Sequence, residues 1–231
     1  MMQEKPVVSV RIWDLPTRVF HWALVAGMGF MWFSAEVSDS LLDWHMRVGE
    51  FLLALVLFRL LWGVVGSDTA RFSQFIRSPG QALSYLKILP SRQPSWHPGH
   101  NPLGGWMVVA VLLLVLVQAV SGLFISDDIL SEGPLYPLVS EAWADRMASV
   151  HHQAFDLLLV LIGVHIAAIL YYLGFKRTNL LRAMLTGHAH WPQHTPMQAR
   201  LTFRHGGLGL LLFAGCYVVV YFGVQWLASS V

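Results

Sequence analysis

The chain has 231 residues, of which 55% are hydrophobic, 13% aromatic and 12% charged, with a net charge of +2. Soluble chains carry about a quarter charged residues, so this composition cannot cover a water-facing surface and indicates an integral membrane protein in contact with membrane lipid. The small net charge and the lack of a basic tract exclude nucleic acid as a partner. A single cysteine, Cys216, excludes an internal disulfide or a cysteine-based metal site, and the absence of C-x-x-C-H excludes covalently attached c-type haem.

A mixed segment, 7–17, precedes the first apolar stretch. Five stretches follow that are long enough for a hydrocarbon core of about 30 Å, which takes roughly 20 helical residues. They lie near 17–35, 44–65, 104–125, 150–173 and 206–227. None alternates with period two, so each is expected to be a transmembrane helix, and the fold an all-α integral membrane helical bundle. The first has no clear small-residue cleavage site and reads as a retained span rather than a signal peptide. The whole of 1–231 reads as one domain, with no internal repeat.

The loops differ in charge. One side collects Lys5, Arg11, Arg18, Arg71, Arg77, Lys87, Arg92, Lys176, Arg177, Arg182, Arg200 and Arg204. The other has Arg146, with Arg47 just inside the second span, and carries Glu36, Asp39, Asp43, Asp127, Asp128, Glu132, Glu141 and Asp145. The positive-inside rule then puts the N-terminus in the cytoplasm and the C-terminus outside. The inner loop 67–103 holds Pro79, Pro90, Pro94, Pro98 and Pro102 and a short amphipathic stretch at 82–89. The outer segment 126–149 predicts a short helix at 141–147. The inner loop 176–205 is basic and rich in histidine.

Polar side chains inside a span are costly and mark function by default. His21 lies in the first span, His45 in the second, and His151 and His165 in the fourth. The last two are fourteen residues apart, which is about 1400° of turn, roughly 40° short of four full turns, and about 21 Å along the axis. One helix face therefore offers an imidazole near each leaflet. Topology pairs His45 with His151 near the outside and His21 with His165 near the inside. Each pair supplies the two axial nitrogens that a b-type haem iron takes from facing helices. His152 points about 220° away from His165 and is the alternative outer ligand only if the helix bends. Gly49, Gly122 and Gly163 either admit a flat macrocycle or serve helix packing.

Arg59 follows His45 by fourteen residues, so it shares that face and lies about 21 Å inward. It either neutralises a propionate of the inner haem or snorkels to the headgroups. Arg18, one turn before His21, is a second candidate for the propionate.

Five stretches carry a family resemblance: Arg18-Val19-Phe20-His21-Trp22, His45-Met46-Arg47-Val48-Gly49, Phe58-Arg59-Leu60-Leu61-Trp62-Gly63, Gly99-His100-Asn101-Pro102-Leu103-Gly104, and His151 through His165. Over about residues 10–175 they resemble the bacterial cytochrome b561 and nickel–iron hydrogenase b-type cytochrome subunit family, with the b-type subunits of formate dehydrogenases more distant. The resemblance implies two haem b groups, held by the first, second and fourth helices through His21, His45, His151 and His165. It also implies location in the bacterial inner membrane and electron transfer between quinone and a redox partner, either a c-type cytochrome or a dehydrogenase or hydrogenase subunit. The chain departs from many relatives at His152, where they carry an acidic residue.

Two other functions compete. Some small members of this family resemble superoxide oxidases that reduce quinone unaided, but those have four spans. A metal transporter or metal sensor draws on His188, His190 and His194 in the inner loop, with His97 and His100 nearby, yet no in-span carboxylate pair marks an ion path. H-E-x-x-H is absent, which argues against a membrane metalloprotease. Quinone has two candidate positions, the inner face near His100, Asn101 and Arg59 and the outer face near Trp44.

Overall fold

A computed structural model of the protein describes residues 7–37, 41–92, 96–126, 132–192 and 201–230. Lys5, Asp39, Pro94, Asp127, Asp128, His194 and Arg200 lie outside the described residues. Five long helices dominate: α1 (Leu15–Val37), α2 (Leu42–Val65), α5 (Pro102–Gly122), α6 (Glu141–Gly174) and α8 (Gly206–Ala228). Between α2 and α5 run a 3-10 turn at Asp68–Ala70 and the short helices α3 (Phe72–Phe75) and α4 (Pro79–Ile88). After α6 come α7 (Leu180–Thr186) and a strand, β2 (His188–Pro192), which pairs antiparallel with the first strand, β1 (Val7–Arg11).

Helix α2 is the hub. Leu52 through Val56 are all buried, and α1, α5 and α8 pack around them. The main core joins Phe20 and Leu24 of α1, Phe58 and Trp62 of α2, Leu112 and Val115 of α5, Leu158 of α6 and Cys216 of α8. A second cluster sets Leu53 and Ala54 of α2 against Val220 and Val224 of α8. The outward faces carry Leu157, Val160, Val164 and Ile166 of α6 and Leu211, Val219 and Trp226 of α8, all exposed, as a lipid-facing surface requires.

Two expectations change and a third is met in part. Four helices among the described residues, α2, α5, α6 and α8, are long and apolar enough to cross a membrane. α1 has 23 residues but carries Arg18, His21 and Glu36 along with Trp22 and Trp32, which dilute its hydropathy. The short helix predicted at 141–147 is instead the first two turns of α6, which runs unbroken for 34 residues. No Pro or Gly interrupts 141–162, so nothing ends the first segment before the span begins. His188 and His190, expected in a loop, lie on β2, paired with Arg11 and Ser9. The two histidines are exposed on one face of that strand, while Trp191 is buried with Ile12, Trp13 and Ala183.

The turn from α7 into β2 depends on Gly187, at φ +84°, a left-handed conformation open to glycine at little cost. Its carbonyl accepts from the amides of Ile12 and Trp13, which ties the small sheet to the start of α1. Caps set other boundaries: the Asn101 side chain accepts from Gly104 N at the start of α5, and Asn179 does the same for α7 from Arg182 N.

Candidate functional site

The four histidines His21, His45, His151 and His165 fall into two groups at the two ends of the bundle. His21 on α1 and His165 on α6 oppose one another with ring centroids 6.4 Å apart, tilted by 52°. These two helices are held by different main neighbours, α1 by α2 and α6 by α5, so the imidazoles reach toward each other from separate pairs. Imidazole–metal bonds of ~2.0–2.1 Å on both sides of one ion set ring centroids about 6.3 Å apart, so the observed spacing suits a bis-imidazole iron. His21 Nδ1 is buried without a hydrogen-bond partner.

At the other end of the bundle, His45 and His151 are close enough to interact electrostatically. Their outward nitrogens are fixed by a second layer of groups. Ser34 Oγ on α1 donates to the Met31 carbonyl at 3.1 Å and lies 2.9 Å from His45 Nδ1. A hydroxyl whose one proton is committed can only accept from the ring, so His45 carries its proton on Nδ1. His151 Nδ1 is 2.9 Å from the Gln118 carbonyl, which can only accept, so this ring too is protonated at Nδ1. The Ser121 hydroxyl donates to the same carbonyl at 3.1 Å. Both tautomers leave the Nε2 lone pair free, the form in which histidine ligates a metal. His152 is exposed, with its ring edge-on to His151 at 6.3 Å.

Of the three glycines singled out in the sequence, only Gly122 touches a histidine. A Cβ there would lie 3.0 Å from His151 Cε1, whereas at Gly49 it would meet only Met31 at 3.6 Å, and at Gly163 nothing within 4 Å.

The inner pair is surrounded by charged and aromatic groups. Arg59 is 2% exposed, so its guanidinium does not reach out to the headgroups. It lies 5.1 Å from the Phe72 ring centroid and 6.0 Å from those of Phe20 and Phe75. Asp14 supplies the opposing charge. Fully buried, Asp14 caps α1 by accepting from Thr17 N at 2.8 Å and accepts from Trp62 Nε1 at 3.0 Å. That second bond locks the inner end of α2 to the start of α1. His100 stands between Trp13 and Phe75, with ring centroids at 4.8 and 4.5 Å. Arg18 turns elsewhere: its Nε donates to Met184 O at 3.3 Å and its Nη2 to Leu185 O. It thus caps the C-terminal carbonyls of α7, where a cation is favoured, instead of facing the inner pair.

Ser34, Gln118, Ser121 and Asp14 carry no motif and were not singled out from the sequence. A weak signal existed for Ser34 alone, a polar residue eleven positions before His45 in the preceding apolar stretch.

The sequence model of the family described as prokaryotic cytochrome b561 matches residues 12–187. The chain belongs to the prokaryotic cytochrome b561 family. A "Probable Ni/Fe-hydrogenase B-type cytochrome subunit" of Bradyrhizobium diazoefficiens is 24% identical over 215 residues, covering 78% of this chain and 85% of that protein. No solved structure matches. As a prokaryotic cytochrome b561 the protein is an integral membrane, b-type cytochrome of electron transfer, and haem b is its cofactor. The matched segment contains α1, α2, α5 and α6, and with them both histidine pairs; α8 lies beyond it.

Proposed function

We propose that the protein is a dihaem cytochrome b that carries electrons across the inner membrane between quinone and a redox partner protein. The observation that supports this most is the approach of His21 to His165 at one end of the bundle, with His45 within electrostatic reach of His151 at the other and His151 and His165 fourteen residues apart on one unbroken helix. In this reading α1 is the fifth span, the N-terminus is cytoplasmic and the C-terminus periplasmic, which the loop charges support.

Haem iron supplies reversible one-electron exchange between its ferric and ferrous states. The chain's own residues do the rest. His45 and His151 hold the outer group, oriented by Ser34 and by the Gln118 carbonyl. His21 and His165 hold the inner one. Arg59 places a fixed cation beside the inner pair, where it counters a propionate and favours the form with one positive charge fewer. The packed core of α1, α2, α5 and α8 keeps water from the interior and the potentials insulated from solvent.

The Bradyrhizobium relative is named as a subunit of a hydrogenase, which supports an electron-transfer subunit over an enzyme acting alone. A c-type cytochrome or a dehydrogenase or hydrogenase subunit is the partner class proposed here. A reduced-minus-oxidised spectrum with a haem count on the purified protein tests the proposal. Two haem b per chain are expected; one or none rejects the dihaem assignment.

A further inference from the structure

Three buried nitrogens near the inner pair have no hydrogen-bond partner: His21 Nδ1, Arg59 Nη1 and His100 Nδ1. A buried donor left unpaired costs about 1–3 kcal/mol, and more when charged, so an acceptor belongs among them. Among the described residues none donates to or accepts from these three atoms. Asp14, which offsets the charge of Arg59, already accepts at one oxygen from Thr17 and at the other from Trp62. The surrounding walls are the rings of Trp13, Phe20, Phe72 and Phe75.

We propose that His100 and Arg59 together grip one carboxylate of the inner haem, His100 as a donor through Nδ1 and Arg59 as the cation. This rests on the reading of His21 and His165 as the inner ligand pair. Phe75 couples the two arms, since its ring lies 4.5 Å from the His100 ring and 6.0 Å from the Arg59 guanidinium. His100 is also within electrostatic reach of His165 and His21. Burial, and after it the Arg59 charge, lower the His100 pKa to about 3. The site is therefore built with one cation and one neutral donor, a combination that suits a single negative charge. Trp13 and Phe75 flank the imidazole and restrict how far it can turn. Sequence order explains how the arm gets there: Gly99, at φ +98°, reverses the chain beside Thr69 and Trp13 just before α5 begins.

The test is a redox titration of both haems in the full-length protein carrying His100→Leu or His100→Gln, with haem counts. The initial rate of haem reduction by decylubiquinol is measured alongside. Loss of the donor leaves the carboxylate less compensated and favours ferric iron. His100→Leu should keep both haems and shift the inner ferric–ferrous equilibrium about threefold toward ferric, ~28 mV at 59 mV per tenfold change. The outer haem should not move. His100→Gln retains a donor of similar reach and should recover at least half of the shift; if the Leu protein fails to accumulate, the Gln variant must still show a smaller shift of the same sign. Unmoved potentials with a several-fold rise in the decylubiquinol KM overturn the proposal and assign His100 to quinone. His21→Ala distinguishes the deeper failure: if that variant keeps two haems, the ligand reading itself is wrong.

Discussion

Ser34 on α1 determines which nitrogen of His45 on α2 carries the proton. Its hydroxyl, committed to the Met31 carbonyl, accepts from His45 Nδ1 at 2.9 Å and leaves Nε2 free. Removal of such an outer-layer bond generally costs 10–100-fold in metal affinity. Ser34→Ala should therefore weaken retention of the outer haem by about that factor and spare the inner one. Haem titration of the stripped protein measures this, and a variant that loses the inner haem instead would contradict the pairing.

Gly122 works by what it lacks. A side chain there would press on the His151 ring, which lies 3.0 Å from the position of a Cβ. Gly122→Val should displace that imidazole and lower outer-haem occupancy. Gly163→Ala, on the same helix as His165 but with nothing within 4 Å, should leave both haems in place. Equal losses in the two variants would mean that the glycines serve helix packing alone.

Arg59 is a buried cation held over three phenylalanine rings, an arrangement that recovers only part of its desolvation cost. Arg59→Leu should lower the inner haem's potential by a tenfold change in its equilibrium or more, ~59 mV at least, with the outer haem nearly unchanged. Potentiometric titration reads this directly. If neither potential moves, Arg59 has no electrostatic role toward the haem.

The placement of His151 and His165 on one helix and the approach of His21 to His165 were legible, because a fourteen-residue interval converts directly to an angle and a depth. The groups that orient and surround them were not. Gln118 and His151 are 33 positions apart, Trp62 and Asp14 are 48, and such contacts depend on how helices pack rather than on periodicity. The pairing of β1 with β2 joins segments some 180 residues apart, and neither five-residue strand has an apolar alternation strong enough to declare itself. The merging of 141–147 into α6 was in principle visible, since no breaker separates the two parts; the apolar pattern simply changes there from an amphipathic stretch to a continuous one.

The assigned topology has its own test. A reporter fused after α8 should be active only outside the cytoplasm, and one inserted near Arg182 in α7 only inside. A cytoplasmic end of α8 would reverse the charge-based orientation and undo the assignment of the His45–His151 pair to the periplasmic side.

The ligand set is tested most directly by counting haems in single alanine variants. A b-type haem is held by its two axial bonds and by packing, so loss of either imidazole should release it. His45→Ala and His151→Ala should each remove the outer haem, and His21→Ala and His165→Ala the inner one, leaving about one per chain where the two-pair arrangement expects two. His152→Ala, His188→Ala and His190→Ala should keep both. Two haems retained in all four of the first variants, or an outer site emptied by His152→Ala and spared by His151→Ala, would contradict the assignment of His21, His45, His151 and His165 as ligands.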